Sequence, residues 1–125
     1  MLSVSKYQHC IRKIKVDYVP VNSVGVVSSS DVISSIHPVK TVLVTLMVVN
    51  NNSGSLHPVS NVAAHFQELQ VLFHTNFFQA FRKVPVDLRA ALVEAYMVNL
   101  VGHKFGGPKG VAALYVQPGC LAKRG

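Results

Sequence analysis

The apolar positions fall into short clusters separated by polar turns, and their spacing switches between the period of a strand and that of a helix. Val16-Asp17-Tyr18-Val19-Pro20-Val21 alternates and is β-branched, which predicts a strand. Asn22-Ser23-Val24-Gly25 reads as a turn. Ser28-Ser29-Ser30-Asp31 offers N-caps for a short helix with Val32, Ile33 and Ile36 as its buried stripe, ended by His37-Pro38. Thr41 to Met47 is an apolar run punctuated by threonines, as expected of a strand buried on both faces. A polar loop follows, Asn50-Asn51-Asn52-Ser53-Gly54-Ser55. From Pro58 to Leu69 a helix is expected, with Val59, Val62, Ala63, Phe66 and Leu69 on one side. Val71 to His74 predicts a short buried strand, residues 75–85 a loop, Val86 to Val93 a short helix and Tyr96 to Val101 a further strand. Val111 to Val116 closes the pattern as the last strand.

The predicted order, β-α-β-loop-α-β-α-β-β, is that of an α/β fold with parallel strands and helical crossovers. The final two strands are joined only by residues 102–110, too short for a crossover, so the last is expected to run antiparallel. No internal repeat or low-complexity segment interrupts this reading.

Composition narrows the class. The chain has 125 residues, about one ordinary domain, and half are hydrophobic while 14% are charged, a globular balance. The longest apolar run, Val42 to Val49, falls well short of the ~18 residues of a membrane span, and the first residues show no apolar leader. A net charge of +7 favours anionic partners in general. Apart from Arg12-Lys13-x-Lys15, though, the basic residues are scattered, and no helix-turn-helix, zinc-finger or aromatic RNA-binding pattern accompanies them. A solvated basic face is expected rather than a nucleic-acid site. Cys10 and Cys120 lie near opposite ends, which without a leader suits reduced thiols in a cytosolic or organellar setting, cytoplasmic being the expectation, and no Cys-x-x-Cys or His-x-x-x-His spacing points to a structural metal.

In open α/β sheets ligands bind where loops leave the carboxyl ends of the strands. Three such loops carry polar residues here: Asn50-Asn51-Asn52-Ser53-Gly54, His74-Thr75-Asn76-Phe77-Phe78-Gln79, and Gly102-His103-Lys104 with the turn Gly106-Gly107-Pro108-Lys109-Gly110. The last resembles the lysine segment of the class V aminotransferases, pyridoxal-phosphate enzymes, in their selenocysteine lyase and cysteine desulfurase branch. The first two resemble the same family's Asn-Asn-Glu-Thr-Gly and His-Thr-Asp-Ala-Ala-Gln, in the same order. The likeness runs over roughly residues 16–120.

That resemblance implies a fragment of the aspartate aminotransferase-like fold type I large domain. Residues 1–15 would form an unassigned basic segment, 16–120 part of the large domain and 121–125 a short basic tail. It implies pyridoxal 5'-phosphate as cofactor, L-selenocysteine or L-cysteine as substrate with alanine left behind, and a homodimer. Lys104 would form the Schiff base with the cofactor aldehyde and then shuttle protons. His103 would donate to the cofactor phosphate, Asn51 and Gln79 would hydrogen-bond its phenolic oxygen, and Asn76 would face its ring nitrogen. Gly106, Gly107 and Gly110 are read as turn residues that allow positive φ. Val101 before Gly-His-Lys leans toward the selenocysteine-lyase wording.

The departures are specific. Asn76 stands where the family has an aspartate, so an amide replaces the charge that keeps the ring protonated. Phe77 and Phe78 replace two alanines and are expected either to crowd the cofactor or to fill its space. Arg82 stands for a glycine and Asn52 for a glutamate. The family's upstream phosphate loop and ring-stacking histidine, and its downstream small domain, have no counterpart in the chain, so alone it is expected to lack turnover. A non-catalytic relic or interaction module of the same ancestry is the alternative.

Overall fold

The computed structural model describes residues 14–77 and 95–120. Along these segments the elements are α1 (Ser29–Ser34), β1 (Leu43–Met47), α2 (Val59–Glu68), β2 (Leu72–Asn76), β3 (Met97–Val101), a 3-10 turn (Gly102–Phe105) and β4 (Ala112–Val116). The four strands form one sheet in the order β1-β2-β3-β4. β1 and β2 pair in parallel, as do β2 and β3, while β4 returns antiparallel on β3. The chain is an α/β fragment with a mostly parallel sheet and one antiparallel pair, as its pattern predicts.

α2 is the crossover between β1 and β2, and its apolar stripe decides which face of the sheet is covered. Val59, Val62, Ala63 and Phe66 are buried on it. Phe66 meets Phe73 of β2 with ring centroids 5.4 Å apart and planes tilted by 35°. Because side chains alternate along a strand, the covered side of β2 is Phe73 and Thr75, both fully buried. Thr75 satisfies its hydroxyl by donating to the Leu46 carbonyl at 2.9 Å. Phe77 continues this row into the core, in the same buried cluster as Val98 and Ala95. Its ring is therefore buried in the core.

Several expectations change. Residues 16–21 form no strand: Pro20 lacks a donor, and the segment makes only an isolated bridge from Val21 to Val27 around a turn. Asn22 holds that turn, its Oδ1 accepting from the Val24 and Val26 amides. β1 is not buried on both faces: Leu43 is half exposed, Thr45 is exposed and the remaining residues of the strand are only partly covered. In the short helix only Val32 is fully buried, with Ile36 packing on the core from just beyond it. Leu69 falls past the end of α2 and is exposed. β2 runs two residues further than expected, so Thr75 and Asn76 belong to the strand, not to a loop. The helix expected over 86–93 lies outside the described residues.

Candidate functional site

The parallel strands β1, β2 and β3 deliver three chain segments to one edge of the sheet. Past the end of β1, Asn50 organises a tight loop. Its Oδ1 accepts from the Asn52 amide at 2.8 Å and the Ser53 amide at 3.3 Å, and its backbone pairs with Ser55 and Gly54. Asn51 sits exposed at the head of this loop. Asn76 is the last residue of β2 and half-buried. Val48 donates to its carbonyl at 3.1 Å, which keeps the chain beyond β1 in step with β2. His103 and Lys104 sit in the 3-10 turn directly after β3, with His103 exposed. Gln79 and Phe78 lie outside the described residues.

The turn carrying Lys104 is closed by backbone contacts that only glycine permits. Gly107 donates to the Gly102 carbonyl at 2.9 Å. A Cβ at Gly107 would sit 2.9 Å from that same oxygen. Gly102 is also enclosed, with the Pro108 and Val111 carbonyls 3.2 Å from where its Cβ would be. Within this turn, positive φ is confined to Gly106 and Gly110, both at 85°. Gly107 is thus glycine for close approach, not for positive φ, which corrects the sequence expectation.

Below the strand ends, the face of the sheet opposite α2 carries a polar row that the motifs did not reveal. Thr45 and His74 are register partners and their side chains hydrogen-bond at 2.7 Å between Oγ1 and Nδ1. Asn76 and Asn99 are register partners on the same face. Burial holds the His74 imidazole below its ordinary pKa, opposed by the Asn99 amide beside it. The Asn99 Oδ1 is itself buried without an aligned hydrogen-bond partner. The sequence signal was present: Thr45, His74, Asn76 and Asn99 all fall at the same parity within their strands.

His57 also escaped the sequence reading. It is buried, and its Nδ1 accepts from the Val27 amide at 3.2 Å. Its own amide donates to the Val48 carbonyl at 2.9 Å. The side chain therefore ties the entry of α2 to the entry of α1, and burial lowers its pKa.

These groups can hold a polar, planar ligand by hydrogen bonds. Among the described residues, the site's side chains supply amides, a hydroxyl and imidazoles, and no carboxylate. The arrangement fits a pyridoxal phosphate held through its oxygens. It does not fit a ring nitrogen that must remain protonated, because the Asn76 amide brings no negative charge. Among the described residues, no group of three or more His, Cys, Asp or Glu could hold a metal ion, and no helix is long and apolar enough to cross a membrane.

Comparison with known proteins gives a consistent result. The family model for class-V aminotransferases matches residues 5–124. Cysteine desulfurase IscS of Methanosarcina thermophila is 35% identical over 105 residues, covering 84% of this chain and 25% of that protein. The mitochondrial cysteine desulfurase of Arthroderma benhamiae is 39% identical over 103 residues, covering 82% and 20% respectively. Among solved structures, SspA in complex with cysteine superposes with a TM-score of 0.85 at 32% identity, covering 94% of this chain and 33% of that one. A NifS-like protein gives a TM-score of 0.84 at 33% identity, covering 94% and 32%. The chain spans 20–25% of the length of these two curated relatives.

Proposed function

The chain belongs to the class-V aminotransferase family, and from that premise we propose that its three strand-end segments are part of the pyridoxal-phosphate site of a cysteine desulfurase or selenocysteine lyase. The observation that carries this reading is topological. Asn51, Asn76 and the His103-Lys104 pair lie at or just beyond the carboxyl ends of three adjacent parallel strands. That edge is where α/β sheets place their ligands.

Bound cofactor supplies an electron sink for breaking a carbon–sulfur or carbon–selenium bond next to an amino-acid α-carbon. Lys104 is the amine that would bond its aldehyde and, once released, hold or move a proton at Nζ. His103 would donate to its phosphate, and Asn51 and Gln79 to its phenolic oxygen. Asn76 would contact the ring nitrogen as a neutral partner, so no step that requires a charged ring is assigned to this chain. The substrate is L-cysteine or L-selenocysteine; one solved relative is a complex with cysteine. The working form is a homodimer in the cytoplasm.

The test is an absorbance scan of the purified chain with added pyridoxal phosphate, then borohydride reduction and peptide mapping. Label confined to Lys104, and lost in Lys104→Ala, is the expected result. Label spread over surface lysines overturns the site assignment. That outcome supports the second reading, a non-catalytic relic or interaction module, which the neutral Asn76 and the exposed apolar residues of β4 favour.

A further inference from the structure

On the sheet face opposite α2, polar side chains line up across three strands. Thr45 of β1 is the register partner of His74 on β2. His74 in turn pairs with Met97 on β3, so Asn99, two residues further along, lies diagonally across from it on the same face. Because β1 and β3 flank β2 on opposite sides, the two ring nitrogens of His74 serve different neighbours. Nδ1 is 2.7 Å from the Thr45 hydroxyl oxygen. Nε2 is left for Asn99, whose side chain lies against the ring. The Asn99 Oδ1 is buried, can only accept, and has no aligned donor among the described residues. A neutral imidazole carries one ring proton, and burial disfavours a second. Placed on Nε2, that proton supplies the donor that Oδ1 lacks and leaves Nδ1 to accept from the Thr45 hydroxyl. Placed on Nδ1, it would turn the Nε2 lone pair against Oδ1, two acceptors facing each other in a buried contact.

We propose that His74 is a positioning residue: held between Thr45 and Asn99 with its proton on Nε2, it sets the Asn76 amide to offer N–H, not C=O, to a ring nitrogen at the end of β2. The proposal rests on the cofactor reading above and adds to it the form of ring that the site selects. Each link commits the next. With Oδ1 taken by His74, Asn99 has its Nδ2 to give to its register partner, Asn76. The Asn76 oxygen then accepts, and its Nδ2 is the end that donates outward. A pyridine nitrogen without a proton accepts such a bond, and a protonated one does not. The neutral side chain at the end of β2 is thereby matched to an unprotonated ring, as a carboxylate would be matched to a protonated one.

Two measurements on the intact chain test this apart from the cofactor reading. Nitrogen NMR of histidine-labelled protein near neutral pH, with His74 assigned by its loss in His74→Gln, reads the tautomer without cofactor. One form with the proton on Nε2 is expected. Thr45→Val or Asn99→Leu should give a mixture of both tautomers, and Thr45→Ser should keep the single form. Equilibrium titration with ring-labelled pyridoxal phosphate reads the consequence. The bound ring nitrogen should be unprotonated in the wild type and protonated in Asn76→Asp. Thr45→Val and Asn99→Leu should weaken binding about fivefold, the worth of one neutral hydrogen bond, while Thr45→Ser binds as the wild type does. A wild-type proton on Nδ1, or shared between the nitrogens, overturns the proposal whatever the cofactor does. So does an Nε2–H tautomer with a protonated bound ring, or with affinity indifferent to both Thr45→Val and Asn99→Leu, in a wild type whose borohydride label maps to Lys104. Label that misses Lys104 overturns the cofactor reading itself, and with it the role given to His74, even where the tautomer is as expected.

Discussion

Replacing Gly107 by alanine tests whether the turn that carries Lys104 is built on close backbone contact. The added Cβ would stand 2.9 Å from the Gly102 oxygen, 3.2 Å from its carbonyl carbon and 3.3 Å from its Cα. All three are backbone atoms, so no side chain can rotate away, and relief requires moving one strand of the turn. That movement also breaks the 2.9 Å hydrogen bond from Gly107 to the same oxygen. Overpacking costs about 1–3 kcal/mol and the lost bond about 1 kcal/mol. Alanine returns roughly 0.4–1 kcal/mol by restricting the unfolded chain. The net is about 1–3 kcal/mol, or a melting temperature lower by roughly 4–12 °C for a chain of this size. The assay pairs thermal melting with borohydride labelling at Lys104. Labelling should fall more than in Gly106→Ala, whose Cβ meets open space and whose cost is only its φ of 85°. A Gly107→Ala chain that melts with the wild type and labels normally would refute the close-contact argument.

Other substitutions probe different parts of the structure. Asn76→Asp supplies the missing charge at the end of β2, and should tighten pyridoxal phosphate binding by about five- to tenfold in equilibrium titration; unchanged affinity would mean that Asn76 does not meet the ring nitrogen. Phe66→Ala should cost about 3–5 kcal/mol in denaturant unfolding, and a Leu double-mutant cycle on Phe66 and Phe73 should return a coupling of about 0.5–1.5 kcal/mol, with zero coupling ruling out the ring contact. His57 has a lowered pKa, so the unfolded state binds more protons as pH falls through its ordinary value of 6.5. Its contribution to stability is therefore full above that pH and declines below it. Denaturant midpoints measured across that range should fall less in His57→Gln than in the wild type; equal slopes would show that His57 titrates alike in the folded and unfolded chain, against its burial as a neutral acceptor for Val27.

Local pattern was enough to find the helix at Pro58–Leu69 and the strands near 41–47, 71–74, 96–101 and 111–116, because each has its own apolar period and bounding turn. It failed at Val16–Val21, where β-branched alternation lacked a neighbour to pair with and Pro20 removed a donor. It also misjudged β1, since a continuous apolar run does not reveal what packs on each face of the sheet. The motif loops were legible as sequence, and the fold carries them to one sheet edge. The Thr45–His74 contact and the Asn76–Asn99 pairing were not, because they depend on inter-strand register, which no local window contains. Gly107 shows the same limit. Its residue type was informative, but the reason for it lay in a carbonyl five positions earlier.

The alternation of β2 has a consequence for how this chain can change. Phe73, Thr75 and Phe77 are locked into the core, so they act as a ruler that fixes which way His74 and Asn76 point. A slip by one residue would turn the whole ruler outward, and is therefore resisted by every buried ring at once. The intervening positions bear no such constraint. Chemistry on that side can be exchanged, an acid for an amide for instance, while the scaffold beneath remains legible as kin.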